Sequence, residues 1–184
     1  VNKALFYNQY IRLQSYFQNS DLAATGLPSA QESAILKPYL QQLPPLQRQG
    51  VLGQWKYPVS DASGFNRTNL LIARNILLKA GYRFKNAQLL DLKGQPIRIE
   101  FLVSDLAEQP SLLPFVRNLK KLGIQVSIRL VDTPQYTERM RHYDFQMTTL
   151  DMPQSLTPSS EQQQMWGSQA AVEIGNYNYA GVKS

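Results

Sequence analysis

Two acids stand where a parallel sheet would place proton-transfer chemistry. Asp105 and Asp132 each follow a stretch with period-two alternation, so both carboxyls would lie near the carboxyl edge of the strands, where a pair can donate and accept a proton. The same acids are good turn and helix caps, because a short carboxylate accepts readily from an N–H two or three residues further on. The sequence fits either role. His142 is the single histidine, which excludes a multi-histidine metal site. No G-x-S-x-G pattern supports a serine triad around it, and beside Tyr143 at the end of a helical stretch it fits a surface position or a helix C-cap. Cysteine is absent, and with it disulfides, thiolate nucleophiles and cysteine-ligated metals. Gly94 and Gly123 stand alone, with neither GxGxxG nor GxxxxGKS/T around them, so no phosphate loop is present. These residues imply no cofactor, and they favour a protein that is not an enzyme.

What remains is a set of aromatics and amides suited to reversible recognition. Tyr16 and Phe17, Gln154 and Ser155, and the run 176–179 (NYNY) offer flat apolar faces and hydrogen-bonding groups without a nucleophile. The aromatics are equally compatible with an ordinary core, more so for Phe17 than for Tyr177 and Tyr179, whose neighbours are polar.

The elements that must position these groups are legible between 97 and 158. Residues 97–103 (IRIEFLV) alternate as a half-buried strand does, and 124–130 (IQVSIRL) repeat the pattern. Between them, Leu112, Phe115, Val116 and Leu119 fall at i, i+3, i+4 and i+7 and predict a helix over 111–122, stopped by Gly123. Thr133-Pro134 opens a second helix with Tyr136, Met140 and Tyr143 on its apolar stripe, and 145–150 (FQMTTL) reads as a third strand. The order β-α-β-α-β implies parallel strands and right-handed crossovers. Further out, a helix is expected over 30–40, stopped at Pro44-Pro45, and another from an Asn66 cap with Leu70, Ala73, Leu77 and Ala80 buried and Gly81 closing it. Residues 82–92 predict an antiparallel hairpin, and 47–64 a covering loop held down by Trp55, Tyr57 and Val59. The chain should begin in the end of a helix, pass irregularly through 19–29, and finish with a short helix over 159–166 and an aperiodic tail.

With 184 residues the chain is long enough for one good-sized domain. No apolar run reaches the ~20 residues that cross a bilayer. The net charge of +6 is scattered rather than gathered on one face, with Arg139, Arg141 and His142 beside Glu138 as its densest point, which argues against a nucleic-acid partner. A start at Val1 without Met predicts a piece of a longer protein.

Several runs taken together resemble the family 5 extracellular solute-binding proteins of ABC importers, in particular the YejA-like branch. They are 5–17 (LFYNQYIRLQSYF), 19–29 (NSDLAATGLPS), 58–64 (PVSDASG), 113–124 (LPFVRNLKKLGI), 131–136 (VDTPQY), 144–147 (DFQM), 154–158 (QSLTP) and 178–181 (NYAG), in order along nearly the whole chain. The resemblance implies an α/β fold: one lobe of a type II periplasmic binding protein, most of the second, inserted lobe. On that reading 1–184 is a single domain, with 1–64 a mostly irregular covering segment, 65–158 the α/β core and 159–184 a C-terminal helix and loop. It further implies a periplasmic receptor, monomeric when intact, that binds oligopeptides or peptide-like solutes and delivers them to a membrane permease. Lobes of this type also occur as sensor domains of transcription regulators, which is the alternative.

The expected cleft residues are Tyr16 and Phe17 for stacking, Met152 as an apolar wall, and Gln154, Ser155 and Asn178 for hydrogen bonds to ligand amides. In dipeptide-binding relatives the loop after the third strand carries a Gly-Trp pair and, three residues after the Trp, an Asp that takes the ligand's amino terminus. Here Met152 stands in place of the Trp and Ser155 in place of the Asp. A hydroxyl anchors an ammonium far less well than a carboxylate does, so the resemblance implies another anchoring mode.

Overall fold

Alternating side chains in the middle of the chain build the sheet on which the rest is hung. The computed structural model describes residues 1–53, 58–60 and 66–183. Its strands are β1 (Arg83–Lys85), β2 (Gln88–Leu90), β3 (Arg98–Val103), β4 (Gln125–Leu130) and β5 (Met147–Thr148). Its helices are α1 (Asn2–Leu5), α2 (Ala30–Leu40), α3 (Pro45–Leu52), α4 (Arg67–Lys79), α5 (Gln109–Lys121), α6 (Thr133–Arg141) and α7 (Ser160–Trp166). The chain divides into two compact units, a larger one of Val1–Gln9 with Ser60–Ser184 and a smaller one of Tyr10–Val59.

In the larger unit β3 is the central strand of a three-stranded parallel sheet ordered β4-β3-β5. Phe101, Leu102 and Val103 are buried on both sides of that strand, as expected for a middle strand with both faces covered. On one side Phe101, Val103 and Leu112 form a cluster with Ile128 and Met147 against it. A second cluster joins Leu89, Leu122 and Ile124, with Leu70, Ala73 and Leu77 of α4 and Phe84 of the hairpin packed on it. The β1-β2 hairpin turns through Asn86 and Ala87, both at positive φ, which is the twist a two-residue hairpin turn needs. Gly123 ends the α5 segment at φ +74°, and a Cβ there would lie 2.6 Å from the Leu89 backbone nitrogen. Only glycine fits both the conformation and the contact, and the contact itself is a hydrogen bond from the Leu89 N–H to the Gly123 carbonyl at 2.9 Å.

Five expectations need correction, the first being Ala80, which is exposed at the end of α4 instead of buried on its stripe. Residues 45–52 form a helix where a stop and a loop are expected, because Pro45 sits in the first turn, where its missing N–H costs nothing. Val59 is 74% exposed, so its side chain is not the buried anchor expected, while Trp55 and Tyr57 lie outside the described residues. The third strand pairs only at Met147 and Thr148, since it meets β3 alone and leaves the ladder immediately afterwards. Phe115 is 43% exposed: it meets Phe101 edge-on at 6.4 Å from the rim of the cluster instead of filling it.

Candidate functional site

Hydroxyl chemistry at the end of β5 sets where the next loop leaves the sheet. The Thr148 hydroxyl lies 2.9 Å from the Leu102 carbonyl and 2.9 Å from the Tyr136 hydroxyl of α6, a contact in which either hydroxyl can be the donor. The end of the strand is thereby fixed to both its neighbour and the helix. Residues 151–158 then run out beyond the carboxyl edge of the parallel sheet, the edge at which such folds place their ligands.

This loop is tied to α7 through side chains. Ser155 is exposed, and its hydroxyl lies 2.6 Å from the Thr157 carbonyl and 2.8 Å from Glu161 Oε1. The same Glu161 oxygen accepts from the Ser159 N–H at 3.0 Å, which satisfies a donor that the helix start leaves unpaired. The Ser155 hydroxyl, followed by backbone N–H groups, holds the Glu161 carboxyl below its ordinary range. Gln154 is half-buried: its Oε1 accepts from Gln162 Nε2 at 2.8 Å, and its own Nε2 faces Met165 Sδ at 3.8 Å. Met152 is half-buried on the same loop. The structure therefore links Gln154 and Ser155 through Gln162 and Glu161 of α7, two residues that sequence reasoning missed, while Met152 lies on the same loop. The Ser159-Ser160-Glu161 spacing at the helix start was the available signal, since an acid there reaches back to the cap.

Tyr16 and Phe17 belong to the smaller unit, where their rings meet edge-to-face at 4.8 Å and 83°. Tyr16 is 42% exposed, and Phe17 is half-buried.

Asn178 is not available as expected. It is 0% exposed, its amide donates to the Gly167 and Val182 carbonyls at 2.9 Å each, and its Oδ1 accepts from the Val182 N–H at 3.0 Å. Its backbone carbonyl receives the Tyr143 hydroxyl at 2.9 Å. A buried amide must satisfy its polar atoms internally, and this one closes the C-terminal loop instead of facing a ligand.

The two acids are caps. Asp105 accepts from the Ala107 N–H and Asp132 from the Gln135 N–H, both at 2.8 Å, so each carboxylate serves its own turn. His142 is the C-cap of α6, with Nδ1 3.0 Å from the Glu138 carbonyl. Among the described residues no group of three or more metal-ligating side chains converges.

The family model for bacterial extracellular solute-binding proteins, family 5 middle, matches residues 1–173. The chain is 37% identical over 185 residues to a probable peptide-binding protein, YejA, of Agrobacterium fabrum, covering 100% of this chain and 30% of that protein. It is 39% identical over 186 residues to the uncharacterized protein YejA of Escherichia coli, again covering 100% of this chain and 30% of the relative. Among solved structures, the oligopeptide-binding protein AppA of Bacillus subtilis, in complex with a nonapeptide, superposes with a TM-score of 0.52 at 23% identity, over 71% of this chain and 26% of that one. That likeness shows the fold, a lobe of the type II periplasmic binding proteins. The chain thus spans less than a third of the length of the curated relatives it matches, and by family model and by whole-chain identity it belongs to the family 5 bacterial extracellular solute-binding proteins, in their YejA-like branch.

Proposed function

We propose that this chain is most of the second lobe of a two-lobed periplasmic receptor. The receptor binds peptides or peptide-like solutes without altering them, and hands them to the permease of an ABC importer. The observation that carries this reading is the 151–158 loop. It leaves the carboxyl edge of the parallel sheet, where such folds place their ligands, with Ser155 exposed and Met152 and Gln154 half-buried, which supports a reading of this loop as one wall of a solute site. The names of the relatives, a probable peptide-binding protein and an oligopeptide-binding protein, support the solute class.

Met152 would give the solute an apolar surface, while Gln154 and Ser155 would meet its backbone amides. On the smaller unit, Tyr16 and Phe17 offer a ligand an aromatic pair whose edge-to-face arrangement leaves the Tyr16 ring accessible. Isothermal titration of the full-length receptor with a pool of synthetic tri- to hexapeptides tests the solute class. Saturable binding in the micromolar range or tighter is expected, and the absence of binding across the whole pool contradicts the peptide reading.

A further inference from the structure

Cations that lie spread along the sequence are gathered by the fold. No acid occurs between Asp61 and Asp91, a run that carries Arg67, Arg74, Lys79, Arg83 and Lys85, and none occurs between Glu108 and Asp132, where Arg117, Lys120, Lys121 and Arg129 stand. The structure packs these two runs on each other, because Leu70, Ala73 and Leu77 of α4 and Phe84 of the hairpin rest on the cluster of Leu89, Leu122 and Ile124. Arg67 and Arg74 of α4 and Lys121 at the end of α5 then rim a hollow of about 290 Å³ lined also by Leu70, Leu71 and Leu122. All three cations are exposed, and no carboxylate of a described residue pairs with any of them. Arg74 lies 4.9 Å over the Phe84 ring, which holds the guanidinium in place and leaves its charge uncompensated.

The outer side of α4 is apolar as well. Because 70, 73 and 77 turn toward the core, helical spacing sends Leu71, Ile72, Ile76 and Leu78 outward, and all four are exposed. A helix with aliphatic residues on its outer as well as its inner face needs a cover on both. Nucleic acid or another soluble polyanion would neutralise the cations but leave these aliphatics in water. An anionic lipid surface satisfies both: headgroup phosphates meet the arginines and lysines, while the aliphatics enter the boundary between headgroups and acyl chains. We propose that the outer face of α4, with the end of α5, is a membrane-docking surface that rests on anionic phospholipid headgroups. Lys121 and Leu122 stand just before the start of β4, at the amino edge of the sheet, opposite the carboxyl edge from which the 151–158 loop leaves, so lipid and solute contacts do not compete. The proposal goes beyond the solute reading and does not depend on it.

Sedimentation of the full-length receptor with lipid vesicles tests it, using phosphatidylcholine alone and an equimolar mixture with phosphatidylglycerol. At low salt the receptor should bind the mixed vesicles at least roughly tenfold more tightly than the neutral ones, and high salt should remove that preference by screening. Arg67→Gln combined with Lys121→Gln should weaken binding to mixed vesicles roughly tenfold or more. Ile72→Ser combined with Ile76→Ser should weaken it too, with every charge kept. All four residues are exposed, so thermal unfolding and peptide titration of both variants should match wild type. Equal binding to the two kinds of vesicle, or binding to neither, overturns the proposal and leaves this face to a protein partner. Binding unmoved by the isoleucine pair also overturns it, since charge alone would then suffice and any polyanion would serve. The comparison of vesicles needs no variant, so a misfolded variant does not shield the idea. Peptide titration of the same samples scores the receptor reading separately: peptide binding without vesicle binding overturns only the docking surface, and vesicle binding without peptide binding overturns only the peptide reading.

Discussion

Ser155 and Glu161 make one unit, and the ionisation of the acid reports on it. The hydroxyl is the largest influence holding the Glu161 carboxyl below the ordinary glutamate range. A carboxyl whose folded pKa lies below its unfolded value contributes stability that is complete above the unfolded pKa and is lost as pH falls through the folded one. A carboxyl-selective NMR titration should therefore place the Glu161 midpoint below that of an unstructured glutamate, and Ser155→Ala should move it upward; a midpoint unmoved by the substitution would mean the hydrogen bond is not formed in solution. Asn178 teaches the opposite lesson. Its neighbours Tyr177 and Tyr179 suggested an exposed recognition strip, yet the amide is fully buried because the Gly167 and Val182 carbonyls close on it. Partners at 11 and 4 residues' separation are set by how the C-terminal loop folds back, which residue types and local spacing do not record.

At the scale of elements, local rules carried most of the architecture. The α2 boundaries follow from the Ser29-Glu32 capping box, in which Ser29 accepts from the Glu32 N–H and Glu32 from the Ser29 N–H. Period-two runs gave β3 and β4, and the Gly123 stop between them follows from its positive φ. The failures have two causes, a proline pair that local rules read in either sense and a strand whose extent was set by pairing with β3. Pro44-Pro45 reads both as a helix stop and as a helix start, and 145–150 has strand-like residues of which only the two that meet β3 became strand. The two helix-ending glycines give a graded test. A Cβ at Gly123 meets backbone atoms of Leu89 and Gln88 that cannot step aside, whereas at Gly81, also at positive φ, it meets only the flexible end of Leu92 at 2.8 Å. Gly123→Ala should cost about 2–4 kcal/mol and Gly81→Ala about 1 kcal/mol in denaturant unfolding, and the reverse order would contradict this packing.

At the scale of the molecule, the chain supplies under a third of the length of the relatives it matches, and its two units each hold part of the expected set. The fold class was legible because a parallel β-α-β-α-β core is written in local periodicity. The candidate loop was legible as the aperiodic stretch after the third strand with Gln154 and Ser155 on it, and the resemblance to a family added Met152. Its chemistry became readable once the structure brought Glu161 to Ser155. The central claim is that residues 152–157 form a wall against which a peptide solute rests. Hydrogen exchange of the full-length receptor, with and without a saturating pool of short peptides, tests it most directly. Slower exchange of the 152, 154, 155, 156 and 157 amides on peptide addition is the predicted result, and exchange at those amides unchanged while peptide is bound elsewhere would contradict the account.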